Sequence, residues 1–194
     1  LDETLIPFEY LNGKTYDITR SKTIWVKESW SGWDKHQATL VLCIFADVPP
    51  MVIFHGISQR LRVEKEKYHK GVLVEYNSTT YLNDTLFEHY ITSYLIPILG
   101  GWPTLSALDL MGLQKTSAIL DILCQNNITP SLIPSGCTSL VQPLDISVNK
   151  PFKEMLCDLT DQKIFELESI EAFERWTVGD CHILTMECVG NAFH

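Results

Sequence analysis

Apolar positions in the first third of the chain either alternate with polar ones or run together unbroken, and both patterns predict strands. "KTIWVK" (22–27) places Ile24 and Val26 on one face and Thr23 and Trp25 on the other. "ATLVLCIFAD" (38–47) is almost continuously apolar, which predicts a strand buried on both faces. "PMVIFHG" (50–56) follows a short proline turn, so a hairpin is the simplest connection. Asn12-Gly13 marks a further turn between "FEYL" and "KTYD".

The period then changes. "GVLVEY" (71–76) predicts a short strand, whereas "NDTLFEHYITSYLIPIL" (83–99) carries Leu86, Phe87, Tyr90, Ile91, Tyr94 and Leu95 on one helical stripe. Asn83 or Asp84 is a suitable N-cap, and "GGWP" (100–103) breaks the helix. "TLSALDL" (104–110) predicts a strand ending at Asp109, "KTSAILDILCQNN" (115–127) a helix, and "ITPSLIP" (128–134) another short strand. Pro143 suits the first turn of a helix that follows. The acidic, loosely amphipathic "TDQKIFELESIEAFERWTV" (160–178) predicts a helical tail. A leading antiparallel meander feeding alternating helices and strands implies an α/β fold, a mixed sheet with helices on its faces.

Composition narrows the class. A length of 194 residues suits one domain, and a mean hydropathy of +0.03 is that of a globular chain. No apolar run reaches the roughly 18 residues needed to span a bilayer. "LDETLIPF" has no initiator Met and no signal-peptide pattern, so the sequence is expected to be part of a longer chain. The six cysteines form no C-x-x-C pair, and Cys181, His182 and Cys188 fit no zinc-module spacing, so reduced and mostly buried thiols are expected. Fifteen basic against twenty-four acidic residues give a net charge of −9, which argues against a whole-surface nucleic-acid binder. The one dense basic stretch, "QRLRVEKEKYHK" with Arg60, Arg62, Lys65, Lys67 and Lys70, is diluted by Glu64 and Glu66 and reads equally as a solvated loop.

Candidate chemistry lies in three aspartates. Asp2 is assigned to the end of a first strand, Asp109 closes a later one, and Asp145 opens the helix after the punctuated loop "IPSGCTSLVQP". One helix, one strand and one loop separate Asp109 from Asp145, enough to return the chain to the same sheet edge. Carboxylates gathered there could hold two hard cations about 3.5–4 Å apart for phosphodiester chemistry. Aspartates in such places also serve simply as caps, so spacing alone leaves both readings open. His55, His69 and His89 lie on unrelated elements and read as surface or core residues, and Glu3 reads as structural. Trp25, Trp30 and Trp33 could stack on bases or fill the core. No G-x-S-x-G supports a serine hydrolase.

The segments "LDET" (1–4), "WDKHQATLVLCIFAD" (33–47), "PMVIFHG" (50–56), "LDLMGLQKT" (108–116) and above all "IPSGCTSLVQPLDISVNKPFK" (133–153) change that balance. With them the chain resembles the DDE-type transposase domains of the mariner/pogo superfamily, which includes the jerky, tigger and centromere-protein-B-type relatives. The resemblance implies an RNase H-like mixed sheet flanked by helices over residues 1–160, with 161–194 as an incomplete tail region of the same family. It implies Asp2, Asp109 and Asp145 as the catalytic, metal-binding triad, two Mg²⁺ or Mn²⁺ ions, DNA as partner and a nuclear location. No small-molecule substrate or membrane is implied, and a homodimer is left open.

The chain departs from the family pattern in three places. Gln114 stands where the family often has a histidine, and "FADVPP" gives a shortened hairpin. Asp2 lies so near the start that its strand is expected to be only a couple of residues long. Two functions follow: an active DDE endonuclease acting on DNA, or a decayed or domesticated transposase fragment that keeps the fold for DNA association or protein interaction.

Overall fold

The computed structural model describes residues 1–7, 37–45, 48–56, 62–109, 116–134, 136–167 and 175–193. The expectations for "KTIWVK", the Asn12-Gly13 turn, Trp25, Trp30, Trp33 and Gln114 fall outside the described residues. Four strands form one mixed sheet in chain order: β1 (Asp2–Pro7), β2 (Gln37–Leu42), β3 (Met51–His55) and β4 (Leu73–Asn77). β1–β2 and β2–β3 are antiparallel and β3–β4 is parallel. β5 (Thr104–Asp109) and β6 (Ile128–Ile133) form a parallel pair joined through α4 (Ser117–Gln125). The short helix α1 (Arg62–Lys65) lies between β3 and β4 in the chain, and α5 (Thr138–Val141) follows β6. The α/β expectation is met.

Strand alternation sorts the apolar residues into two cores, one on each face. Leu40, Leu42, Val52 and Phe54 point to one side, where Phe152 and Leu156 of α6 (Asn149–Phe165) and Leu184, Met186 and Val189 of α7 (Val178–Phe193) cover them. Val41, Met51 and Ile53 point to the other, against α2 (Asp84–Tyr90), α3 (Ile96–Leu99) and α4. Of the apolar run at 38–47, residues 38–42 are buried on both faces as expected, whereas β2 ends at Leu42 and Ile44 and Phe45 beyond it are exposed.

Local signals hold where they are expected. The Asn83 side chain accepts the Leu86 N–H at 2.9 Å and caps α2, and Gly100 ends α3 with a left-handed φ of 59°. The 83–99 helix is not uniform, however. Residues Ile91–Leu95 form a π-helical turn, and a second such turn spans Leu144–Val148. Each contains the residue four positions before a proline: Ser93 before Pro97, and Ser147 before Pro151. Proline cannot donate to that carbonyl, and its ring would collide with it. A widened turn lets the helix pass without a break.

The C-terminal part differs from a single tail helix. α6 runs to Phe165, across the position 160 boundary, and α7 is a separate helix packed on α6 and in the main core. Thr177 and Asp180 cap α7 reciprocally: the Asp180 carboxylate accepts the Thr177 N–H at 2.8 Å, and Thr177 Oγ1 accepts the Asp180 N–H at 3.3 Å. None of the six cysteines forms a disulfide; Cys157, Cys181 and Cys188 are buried, whereas Cys124 is exposed and Cys43 and Cys137 are partly so. None of the described helices is long and apolar enough to cross a membrane.

Candidate active site

Asp2 is not the stub of a strand cut to a couple of residues. It opens a six-residue strand and pairs with Leu42 across the antiparallel ladder. The alternation that buries Ile6 places Asp2 on the same face, where only 8% of it is exposed. Asp2 therefore starts its strand rather than ending it, because the chain runs forward from it along the β2 ladder. One residue before it, the Leu1 nitrogen donates to the Ala107 carbonyl at 3.3 Å, which sets the start of β1 beside β5. Asp109 ends β5, opposite Ile133 of β6. Its backbone is described; its side chain lies outside the described residues.

Asp145 enters from the helical side, exposed, in the first turn of the Leu144–Val148 π segment. Four residues later Asn149 opens α6, and this spacing puts the two side chains on one helical face. A single amide nitrogen, Asn149 Nδ2, donates to Asp145 Oδ1 at 3.1 Å and to Asp2 Oδ2 at 2.8 Å. The second bond closes a gap of 147 positions in the chain. The structure thus brings Asp2 and Asp145 together through a residue to which the sequence analysis gave no role. The Asp-x-x-x-Asn spacing within "LDISVN" (144–149) is the signal that could have found it.

Burial raises the Asp2 pKa above its usual 3.8, and the nearby negative charge of Asp145 raises it further. The Asn149 amide, the Glu3 backbone N–H and the neighbouring Gln142 side chain oppose that rise. Gln142 favours the charged carboxylate by proximity only: it is 2% exposed, and neither of its amide atoms has a well-formed hydrogen bond. It lines an apolar cavity of about 230 Å³ with Leu1, Cys43, Ser106, Ala107 and Leu144, where the ends of β1 and β2 meet β5.

These residues suit a hard divalent cation. Two carboxylates converge, one of them buried, and Gln142 Oε1 is a buried acceptor without a hydrogen-bond partner. An all-oxygen donor set of this kind favours Mg²⁺ or Mn²⁺ over softer metals. Among the described residues no group of three or more His, Cys, Asp or Glu side chains could hold a metal. The Asp2–Asp145 pair accordingly stands as two carboxylates there.

The remaining candidates lie elsewhere. His55 and His89 are exposed, and His69 Nδ1 accepts the Gly71 N–H at 3.1 Å. Cys181, His182 and Cys188 are buried along α7, with the His182 ring stacked on Phe54 at 4.0 Å. In the basic stretch, Lys67 and Lys70 are exposed, and Lys65 Nζ lies 5.2 Å from the centre of the Tyr76 ring.

The family described as DDE superfamily endonuclease matches residues 35–177, nearly three quarters of the chain. The chain belongs to the DDE superfamily endonuclease family. The match takes in Asp109, Asp145 and Asn149 and leaves out Asp2, which is joined to the matched region by the β1–β2 ladder and the Asn149 bond. No curated protein and no solved structure matches the chain.

Proposed function

We propose that this DDE endonuclease domain is transposase-derived, of the mariner/pogo type, and cleaves DNA phosphodiesters with divalent metal held by Asp2, Asp109 and Asp145. The observation that carries the reading is the shared Asn149 amide, which brings a buried strand carboxylate and a helix carboxylate to one point. The Leu1–Ala107 bond supports placing the Asp109 backbone at the same sheet edge. Asp2 and Asp145 would hold the cations as ionised carboxylates, with Asp109 contributing from the end of β5. When bound, such ions supply an activated nucleophile and stabilise the leaving oxygen. The chain's own part is to keep the carboxylates on rigid elements, since about 1 Å of slack can cost about a hundredfold in rate. Nuclear localisation follows if DNA is the substrate.

The net charge of −9 favours a second reading, in which the fold persists as a binding module without cleavage. One experiment separates the two. Strand cleavage is measured on pre-nicked duplex DNA with Mn²⁺, for the wild-type chain and for Asp145→Asn. Metal-dependent cleavage that falls at least about a hundredfold in the variant supports the endonuclease reading, that being the scale of losing one electrostatic group from a catalytic site. Absence of cleavage in the wild type, with Asp145→Asn indistinguishable from it, would leave the binding module.

A further inference from the structure

We infer that Asn149 is a positioning residue for the two carboxylates: its amide takes one oxygen of each and leaves the others directed at a cation. The inference rests on the endonuclease reading and adds a residue to it. Three observations carry it. Both bonds come from the same nitrogen, and an amide NH₂ has two hydrogens to offer, one for each carboxylate. The diverging hydrogens of a planar NH₂ hold the two accepting oxygens about 5 Å apart. Asp2 Oδ2 and Asp145 Oδ1 are thereby engaged, so the free lone pairs of the site belong mainly to the opposite oxygens.

The backbone around Asn149 is well placed for this task. Its N–H bonds to the Leu144 carbonyl and closes the π turn that carries Asp145, so the widened turn and the amide bridge share one residue. Proline at 151 makes that widening necessary two positions later. Asn149 Oδ1, buried without a hydrogen-bond partner, gives the amide no competing acceptor role in the described structure. Groups that orient metal-binding carboxylates without holding the metal typically change metal affinity about 10–100-fold when removed.

The test uses the whole chain and Mn²⁺ alone as probe, with free Mn²⁺ followed by electron paramagnetic resonance. Asn149→Leu keeps a similar volume, is a stronger helix former and removes both donors. Asn149→Gln returns an NH₂ on a longer arm. The expected result is half-saturation by Mn²⁺ at about 10–100-fold higher concentration in Asn149→Leu, partly restored in Asn149→Gln. In the metal-free wild-type protein, the Asn149 side-chain NH₂ protons should exchange slowly with water in ¹⁵N-edited spectra. Wild-type affinity in Asn149→Leu, or tighter binding there, would overturn the positioning role. Rapid NH₂ exchange in metal-free protein would overturn the bridge itself. Asp145→Asn separates this failure from that of the endonuclease reading. If wild type and Asp145→Asn bind Mn²⁺ equally weakly, the metal reading and the inference fall together; if Asp145→Asn alone loses binding, only the role of Asn149 is at issue.

Discussion

Two polar clusters lie on the same face of the main sheet, and they are assembled from opposite electrostatic ingredients. In the first, Glu64 accepts a hydrogen bond from Tyr68 at 3.2 Å and lies 3.5 Å from His182 Nδ1; the Tyr68 and Tyr76 hydroxyls meet at 2.8 Å. Phe54 stacks on His182 and closes the group from β3. Burial and neighbouring groups raise the Tyr68 pKa, and burial raises that of Tyr76, so both stay neutral donors at ordinary pH. In the second, two carboxylates share one amide, and Gln142 is buried with neither amide atom hydrogen-bonded. The first joins an acid to donors and to an imidazole. The second presses like charges together and leaves polar atoms unsatisfied. Arrangements of the second kind reduce stability and persist where chemistry uses them.

The comparison makes predictions that differ in sign as well as size. Phe54 is fully buried under His182 and between Tyr68 and Tyr76, so Phe54→Ala should cost about 3–5 kcal/mol, read from urea denaturation. A smaller loss would mean that the first cluster can collapse into the space. Removing one carboxylate from each cluster is the sharper contrast. Glu64→Ala removes the acceptor of the Tyr68 hydroxyl and the carboxylate beside His182, and should cost about 1–3 kcal/mol. Asp145→Asn keeps an oxygen for Asn149 and removes the like charge, so it should stabilise the metal-free protein by up to about 1 kcal/mol while abolishing cleavage. Destabilisation by both substitutions would erase the distinction between the clusters.

The smallest effect is in pH dependence. Asp2 has a folded pKa above its unfolded 3.8, so the stability it contributes is present below 3.8 and lost as pH rises through the folded value. Asp180, held by the Thr177 N–H and hydroxyl, has a folded pKa below 3.8; its contribution is present above 3.8 and lost as pH falls. Thermal melts across the acid range should therefore show Asp2→Asn gaining on the wild type as pH rises through the folded pKa of Asp2. Asp180→Asn should instead lose ground as pH rises from its folded pKa towards 3.8. The same sign for both would show that burial does not raise the Asp2 pKa above its unfolded value.

Much of the frame was readable in advance, because strands and helices differ in period and each period is written locally. The buried run at 38–42, the Asn83 cap, the stop at Gly100 and the strands ending at Asp109 and Ile133 all lie where their side chains demand. The two π turns were missed although their cause, a proline four residues after a serine, is local; a helical stripe does not distinguish a wide turn from an ordinary one. The Thr177–Asp180 capping box was also legible and went unread within the predicted tail helix. Asp145 could be placed at a helix start, but its exposure and its bond to Asn149 depend on how that helix meets the sheet.

By itself, the sequence determined the elements, the two-sided burial of the central strands and the residue types able to hold a hard cation. Only the tertiary structure decided that Asp2, at the first position of β1, lies one amide away from Asp145, and that the intervening residue is Asn149. The reason is physical. Propensity and periodicity act over a few residues, whereas a bond spanning 147 positions forms only when sheet pairing and helix packing have together fixed both ends.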